Sequence, residues 1–324
     1  MKVYKVFIDG QAGTTGLRLA DRLGTRDDIK LIPIEDAFRK DTKTRLSCIA
    51  EADVVFLCLP DKDAAEIVVA TEQAGLKNTR IIDCSTEHRT AVDWKYGIPE
   101  LFSIGTEDVR VANPGCHATG YIMSVRPLVE AGIVDKDASL SFHSLTGYSG
   151  GGKPMIAEYE NERRSNDEGS SLKAPRQYAL QQSHKHLPEV HKYAGLNEAP
   201  IFSPIVCDYY SGMLVSVAIP HKVLKKGGSA EIIRDELSRF YEDQPLVKIR
   251  PEGAEFLEIS GGGFLSADAF KDRDDIEIFI CGNDDRIDIV SRYDNLGKGA
   301  SGAAIQNMNL ILGLQEDKGL ILGD

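Results

Sequence analysis

No stretch of the sequence approaches the ~18 consecutive apolar residues that a membrane span requires, which argues against a helical membrane protein. Its first residues run straight from Lys2 into a strand-like pattern without the small-residue cleavage site of a secretory signal, so the expected compartment is the cytoplasm. There is no C-x-x-C pair among the six cysteines at 48, 58, 84, 116, 207 and 281, and no close Cys/His cluster of zinc-site spacing. The cysteines therefore read as free thiols, and no metal is expected. Positive charge is in deficit. A formal net charge of -12 leaves no electrostatic footprint for nucleic acid. Internal repeats and low-complexity linkers are absent as well.

What is present is an ordinary globular composition, 42% hydrophobic and 27% charged. A length of 324 residues exceeds the usual size of one domain and implies two, or one with a large insertion. Short apolar runs at Tyr4 to Ile8, Lys30 to Ile34, Val54 to Leu57 and Arg80 to Asp83 alternate with amphipathic stretches such as Asp61 to Gly75. That rhythm predicts a parallel sheet with crossover helices. From about residue 139 the runs lengthen, at Leu140 to Leu145, Phe202 to Cys207, Met213 to Pro220, Ile276 to Cys281 and Ile287 to Tyr293. The last two flank a Gly282 to Arg286 turn cluster and predict a hairpin in a mostly antiparallel second sheet. Ser229 to Tyr241 predicts a capped helix, and Glu158 to Ser171 reads as a solvated helix or loop.

Four segments carry candidate chemistry. Directly after the first strand, Gly10, Gly13 and Gly16 form a G-x-x-G-x-x-G loop opening a helix, with Thr14 and Thr15 inside it. In that context glycines let backbone amides at a helix N-terminus approach a pyrophosphate. At the end of the second strand, Glu35 suits the ribose hydroxyl of NAD, while Arg39 and Lys40 suit the 2′-phosphate of NADP, and the residues leave both open. Asn113-Pro114-Gly115-Cys116 places a thiol at a strand-to-helix turn, where helix amides favour the thiolate, although a packed cysteine is the blander alternative. Pro127 predicts a kink or early end of the helix that follows. Finally, His184, His186 and His191 crowd one short run. They offer a proton donor and acceptor for cysteine chemistry, and lack the spacing and carboxylates of a convincing metal site.

Seven segments in order resemble the shorter form of the N-acetyl-γ-glutamyl-phosphate reductase family: 10–16 (GQAGTTG), 83–89 (DCSTEHR), 96–101 (YGIPEL), 113–119 (NPGCHAT), 146–153 (TGYSGGGK), 184–189 (HKHLPE) and 294–302 (DNLGKGASG). The resemblance runs almost end to end. It implies a Rossmann dinucleotide-binding domain over 1–115 and 295–324, and an α+β catalytic and oligomerisation domain with a largely antiparallel mixed sheet over 116–294. It implies NADP as cofactor, a role in arginine biosynthesis, and reduction of the acyl phosphate to a semialdehyde and inorganic phosphate through a thioester on Cys116. The implied acid/base is His186, with His184 as alternative; the implied anion-binding residues are Arg89, Asn113 and Lys153; Arg39 and Asn295 join the glycine loop at the cofactor. The closing helix around Ala303 to Leu312 is expected to return to the nucleotide domain. One departure is His117, which stands where longer members of the family often carry tyrosine. Related reductases of aspartyl phosphate or of a carrier-bound aminoadipyl phosphate share this chemistry and remain alternatives, as does a non-catalytic NADP-binding redox sensor. The long strands of the second domain suggest a homo-oligomer.

Overall fold

The computed structural model describes residues 2–165, 171–225, 228–253 and 263–323, with backbone only at 163–165. The chain divides into two compact units: Met1–Pro114 with Ala300–Leu320, and Gly115–Gly299 with Ile321–Asp324.

The first unit is a six-stranded parallel sheet made of β1 (Tyr4–Asp9), β2 (Ile29–Leu31), β3 (Val54–Leu57), β4 (Arg80–Asp83), β5 (Lys95–Tyr96) and β6 (Arg110–Ala112), in the order β2-β1-β3-β4-β6-β5. Helices α1 (Thr14–Leu23), α2 (Thr42–Glu51) and α3 (Asp61–Gln73) connect the first strands. Strands buried on both faces read as continuous apolar runs, which is why β3 is Val-Val-Phe-Leu without alternation. One face packs Val6, Ile8, Phe56 and Ile82 against Leu19 and Leu23 of α1 and against Ile305, Met308 and Ile311 of the closing helix Gly302–Ile311. The other packs Phe7, Val55 and Ile81 against Ile49 of α2 and Ile67 and Val68 of α3. The expected second strand is shorter than its apolar run. Ile32 still donates to Val6, but Pro33 has no N–H with which to extend the ladder. Strand order reverses direction around β1, so its carboxyl end, where Gly10 sits, is the crevice in which doubly wound sheets take ligands.

The second unit centres on α4 (Cys116–Glu130) and a seven-stranded mixed sheet of β7 (Ser141–Gly147), β8 (Arg176–Gln177), β9 (Ile201–Cys207), β10 (Met213–Pro220), β11 (Val247–Ile249), β12 (Ile276–Asn283) and β13 (Arg286–Tyr293). The order is β11-β12-β13-β10-β7-β9-β8, parallel at β11/β12 and β7/β9 and antiparallel elsewhere. Helices α5 (Gly152–Ser165), α6 (Leu187–Ala194) and α7 (Ala230–Phe240) complete it. The expected charged stretch is thus helical as far as Ser165, and residues 166–170 of it lie outside the described residues. The α7 start is as expected, with Ser229 accepting from the Ile232 amide at 3.2 Å.

Of the kink or early end expected at Pro127, the early end is corrected, since α4 runs on to Glu130. A proline there leaves the carbonyl of residue 123 without its helical donor. Tyr241, at the end of α7, supplies the missing hydrogen, its hydroxyl donating to the Met123 carbonyl at 2.8 Å. A contact between residues 118 positions apart has no local signature.

Candidate active site

The glycine loop joins β1 to α1 at Gly10, whose φ of +86° only glycine adopts readily. A β-carbon there would lie 2.3 Å from the Cys58 carbonyl oxygen, and one at Gly16 would lie 2.6 Å from the Gly10 carbonyl oxygen. The loop therefore closes tightly on itself, and no side chain caps α1 at Gly13. Thr14 Oγ1 is buried without a hydrogen-bond partner among the described residues. Uncapped helix amides beside an orphaned hydroxyl fit the phosphates of a dinucleotide. Asp9 closes β1 beneath the loop, and its carboxylate takes Arg45 Nε at 2.8 Å and Nη2 at 2.6 Å. Burial raises this carboxyl above the usual range, and the guanidinium offsets that only in part. Arg39, on the turn after β2, is exposed and 3.9 Å from Asp36; Glu35 and Lys40 are exposed nearby in sequence.

Arg89 and Asn113 meet in this same unit. Both are buried, Arg89 Nε donating to the Asn113 carbonyl at 2.9 Å. The Asn113 side chain donates to the Ala300 carbonyl at 3.0 Å and accepts from Asn307 at 3.3 Å.

In the second unit, Cys116 is the first residue of α4, with Gly115 as an N-cap that has no side chain to close the helix start. Its neighbours are imidazoles. One ligating atom each of Cys116, His117 and His186 lies within 4.8 Å of the others, the group among the described residues that has metal-ligand composition. It is not the His184/His186/His191 run weighed from the sequence, for the His191 ring instead pairs with the Asn197 carbonyl at 3.1 Å. Both ring nitrogens of His117 are engaged, Nδ1 with Ser144 Oγ at 2.6 Å and Nε2 with Tyr178 Oη at 2.8 Å. Burial, reinforced by His184 and Lys185, takes the His117 ring down to about 3, so it stays neutral. His184 Nδ1 accepts the His186 backbone N–H at 3.2 Å, while the His186 ring is buried 5.4 Å from that of His117. The two candidates thus differ in placement: His184 pins the backbone of His186, and His186 shares the thiol's cluster.

Three groups around the cysteine were not singled out from the sequence, although Glu189 and Gly299 lie within the 184–189 and 294–302 segments that carry the resemblance. Glu189, almost fully buried on α6, accepts the Gly115 amide at 3.0 Å, fixing the residue before the thiol. Its signal was its place at the end of the 184–189 segment, three residues after His186. Tyr293 donates from its hydroxyl to the Cys116 carbonyl, and the Gly120 amide donates to that hydroxyl at 3.0 Å. Gly299 approaches so closely that a β-carbon there would sit 2.8 Å from Cys116 Cβ.

Two further expected residues lie in this unit. Lys153 is exposed in the first turn of α5. Asn295 is buried, its Oδ1 accepting the Gly212 amide at 2.8 Å and its Nδ2 donating to Ser149 Oγ at 3.0 Å. Its side chain anchors the turn that follows β7, and any contact with a cofactor falls to the atoms that remain.

The chain matches two family models, the NAD binding domain of semialdehyde dehydrogenase over residues 10–108 and the dimerisation domain of semialdehyde dehydrogenase over residues 116–295. Among curated proteins it is 40% identical to N-acetyl-gamma-glutamyl-phosphate reductase 2 of Nostoc sp. over 99% of this chain and 100% of that protein. It is 39% identical to N-acetyl-gamma-glutamyl-phosphate reductase of Brucella ovis over 95% of this chain and 99% of that one. Among solved structures, aspartate semialdehyde dehydrogenase II of Vibrio cholerae complexed with ASA superposes with a TM-score of 0.70 at 15% identity, covering 97% and 99% of the two chains. The enzyme of Candida albicans with NADP gives 0.66 at 15% identity, covering 96% and 99%. At such identity these two show the fold. No helix among the described residues is long and apolar enough to cross a membrane.

Proposed function

The chain belongs to the N-acetyl-γ-glutamyl-phosphate reductase family of the semialdehyde dehydrogenases, and from that premise we propose that it reduces N-acetyl-γ-glutamyl phosphate to N-acetylglutamate 5-semialdehyde and inorganic phosphate with NADPH, in the arginine pathway of the cytoplasm. The observation that carries the reading is the cluster of Cys116, His117 and His186 at an uncapped helix start.

Cys116 attacks the acyl carbonyl as thiolate, the C–O bond to phosphate breaks, and a thioester forms on the sulfur. Backbone amides at the start of α4 face the charge that develops on the carbonyl oxygen. Gly10, Gly13, Thr14, Thr15 and Gly16 would hold the nicotinamide cofactor, which would supply the hydride for reduction of the thioester. Arg39, with Lys40, is assigned to the 2′-phosphate that distinguishes NADP. His186 gives its proton to the oxyanion as it develops, or to the departing sulfur as the carbon–sulfur bond breaks and the oxyanion collapses to the aldehyde, with His184 holding its backbone in place. Lys153 is assigned to the anionic substrate. Arg89 and Asn113 retain that assignment, though Arg89 Nε and the Asn113 amide already have partners in the first unit. A homo-oligomer, formed through the second unit, accords with the dimerisation model matched there.

The test runs the reaction in reverse, following NADPH formed from N-acetylglutamate 5-semialdehyde, phosphate and NADP+. Wild type should turn over and prefer this aldehyde to aspartate semialdehyde. The Cys116→Ser protein should bind NADPH and lose turnover by at least ~10³-fold; full activity in that variant would end the thioester mechanism.

A further inference from the structure

One cation of the second unit has no role in the foregoing scheme. Arg176 lies on β8, the edge strand, directly opposite Val206 of β9, and the next residue on its face is Tyr178, whose amide donates to Pro204 at 3.0 Å. Side chains two residues apart share a face and stand about 7 Å apart along a strand. The same face of β9 carries Phe202, Pro204 and Val206, and the Phe202 ring lies 5.2 Å from that of His117. Tyr178 reaches the Nε2 of His117 at 2.8 Å. One continuous face therefore leads from the guanidinium of Arg176, through the Tyr178 phenol, to the imidazole beside the nucleophile.

The guanidinium is held but not satisfied. Nη2 donates to the Tyr159 hydroxyl at 3.0 Å, and the group lies over the Tyr159 ring, 5.3 Å from its centre. Tyr159 is itself fixed by stacking on Tyr148 at 4.6 Å. Nε is buried without a hydrogen-bond partner among the described residues, and Nη1 reaches only Glu158 Oε1, at 4.0 Å on an exposed side chain. Seated against Tyr159 and with Nε unpartnered among the described residues, this arginine keeps donors that can take a carboxylate as a fork. Lys153 offers a point charge on an exposed side chain and cannot supply the same fork.

We propose that Arg176 binds the α-carboxylate of the substrate and so selects acyl phosphates and aldehydes that carry a carboxylate at the far end of a short aliphatic chain. The inference rests on the reductase reading above and adds the residue that sets substrate choice. It also gives the acidic chain a local cation for an anionic ligand, in a segment whose sequence, Ala174-Pro175-Arg176-Gln177-Tyr178, shows no motif.

The experiment compares N-acetylglutamate 5-semialdehyde with 4-acetamidobutanal, the same aldehyde lacking the α-carboxylate, in the reverse assay. Arg176→Met should lower kcat/KM for the first by about 10- to 100-fold, chiefly through KM, as expected for loss of one charge-assisted pair. It should change kcat/KM for the second by less than about 3-fold and leave KM for phosphate and NADP+ unaltered. Arg176→Lys should recover part of the loss. Equal losses on both aldehydes, or no loss on either, overturn the assignment while wild-type turnover leaves the reductase reading standing. Absence of wild-type turnover with the acetylated glutamate aldehyde overturns both.

Discussion

The hydroxyl of Tyr293 sits inside the first turn of the helix that begins at Cys116. It donates to the Cys116 carbonyl and accepts the Gly120 amide, so both ends of that first helical turn are tied to the phenol. Gly120 permits this, because a β-carbon at that position would lie 2.8 Å from the phenol oxygen. The nucleophile's own peptide unit is thereby fixed by a residue 177 positions away on β13. Burial and the nearby thiol push the phenol well above its ordinary range, so it remains a neutral donor at every working pH.

Tyr293→Phe removes the phenol oxygen and with it both of its contacts to the first turn of α4. Stability should fall by about 1–3 kcal/mol in urea unfolding, and kcat/KM by roughly 10-fold or more as the thiol shifts. If both quantities match wild type, the phenol's place in the turn is incidental.

Glu189 tests the other side of the same turn. Glu189→Gln keeps an oxygen that accepts from Gly115, so a loss of only a few-fold in kcat is expected. Glu189→Leu strands that buried amide and should cost about 1–3 kcal/mol of stability with a much larger loss of kcat. A Gln variant as impaired as the Leu variant would transfer the role from the hydrogen bond to the carboxylate's charge.

These contacts mark the limit of what the sequence discloses. β3 and β4 were legible residue for residue because double burial writes itself as an uninterrupted apolar run. The glycine loop was legible because a tight strand-to-helix turn needs glycine at fixed places. Cys116 was legible only through its motif. Whether Pro127 ends a helix depends on Tyr241, and how Cys116 is held depends on Glu189 and Tyr293, none of which is near in sequence. Arg176 lies on a two-residue strand, too short to leave a periodic signal.

His117 predicts a pH dependence with a definite sign. The folded ring titrates near 3 and the unfolded ring near its ordinary 6.5, so between those values only the unfolded chain binds the proton. Its contribution to stability is therefore complete above about pH 6.5 and declines as pH falls toward 3. Each pH unit in that window removes about 1.4 kcal/mol at most, or about 2 kcal/mol between pH 7.5 and 5. His117→Gln should lower stability at pH 7.5 yet flatten the slope of urea-unfolding free energy against pH by this amount. An unchanged slope would mean that the ring is protonated in the folded protein.

Thr14 separates folding from cofactor binding, because its hydroxyl is buried and without a partner among the described residues. Such a group costs stability in the free protein and repays it only when an acceptor arrives. Thr14→Val keeps the shape and deletes the hydroxyl. The free variant should be as stable as wild type or up to about 1 kcal/mol more so, while its NADPH affinity, read by fluorescence titration, should fall about 5- to 10-fold. Gly10→Ala supplies the contrast, since its β-carbon meets the Cys58 carbonyl at 2.3 Å in a backbone conformation that alanine resists. It should lower both stability and affinity. Opposite signs for the two properties in Thr14→Val, against a joint loss in Gly10→Ala, identify the hydroxyl as a ligand contact; a Thr14→Val protein that loses stability and keeps its affinity would make it a structural group instead.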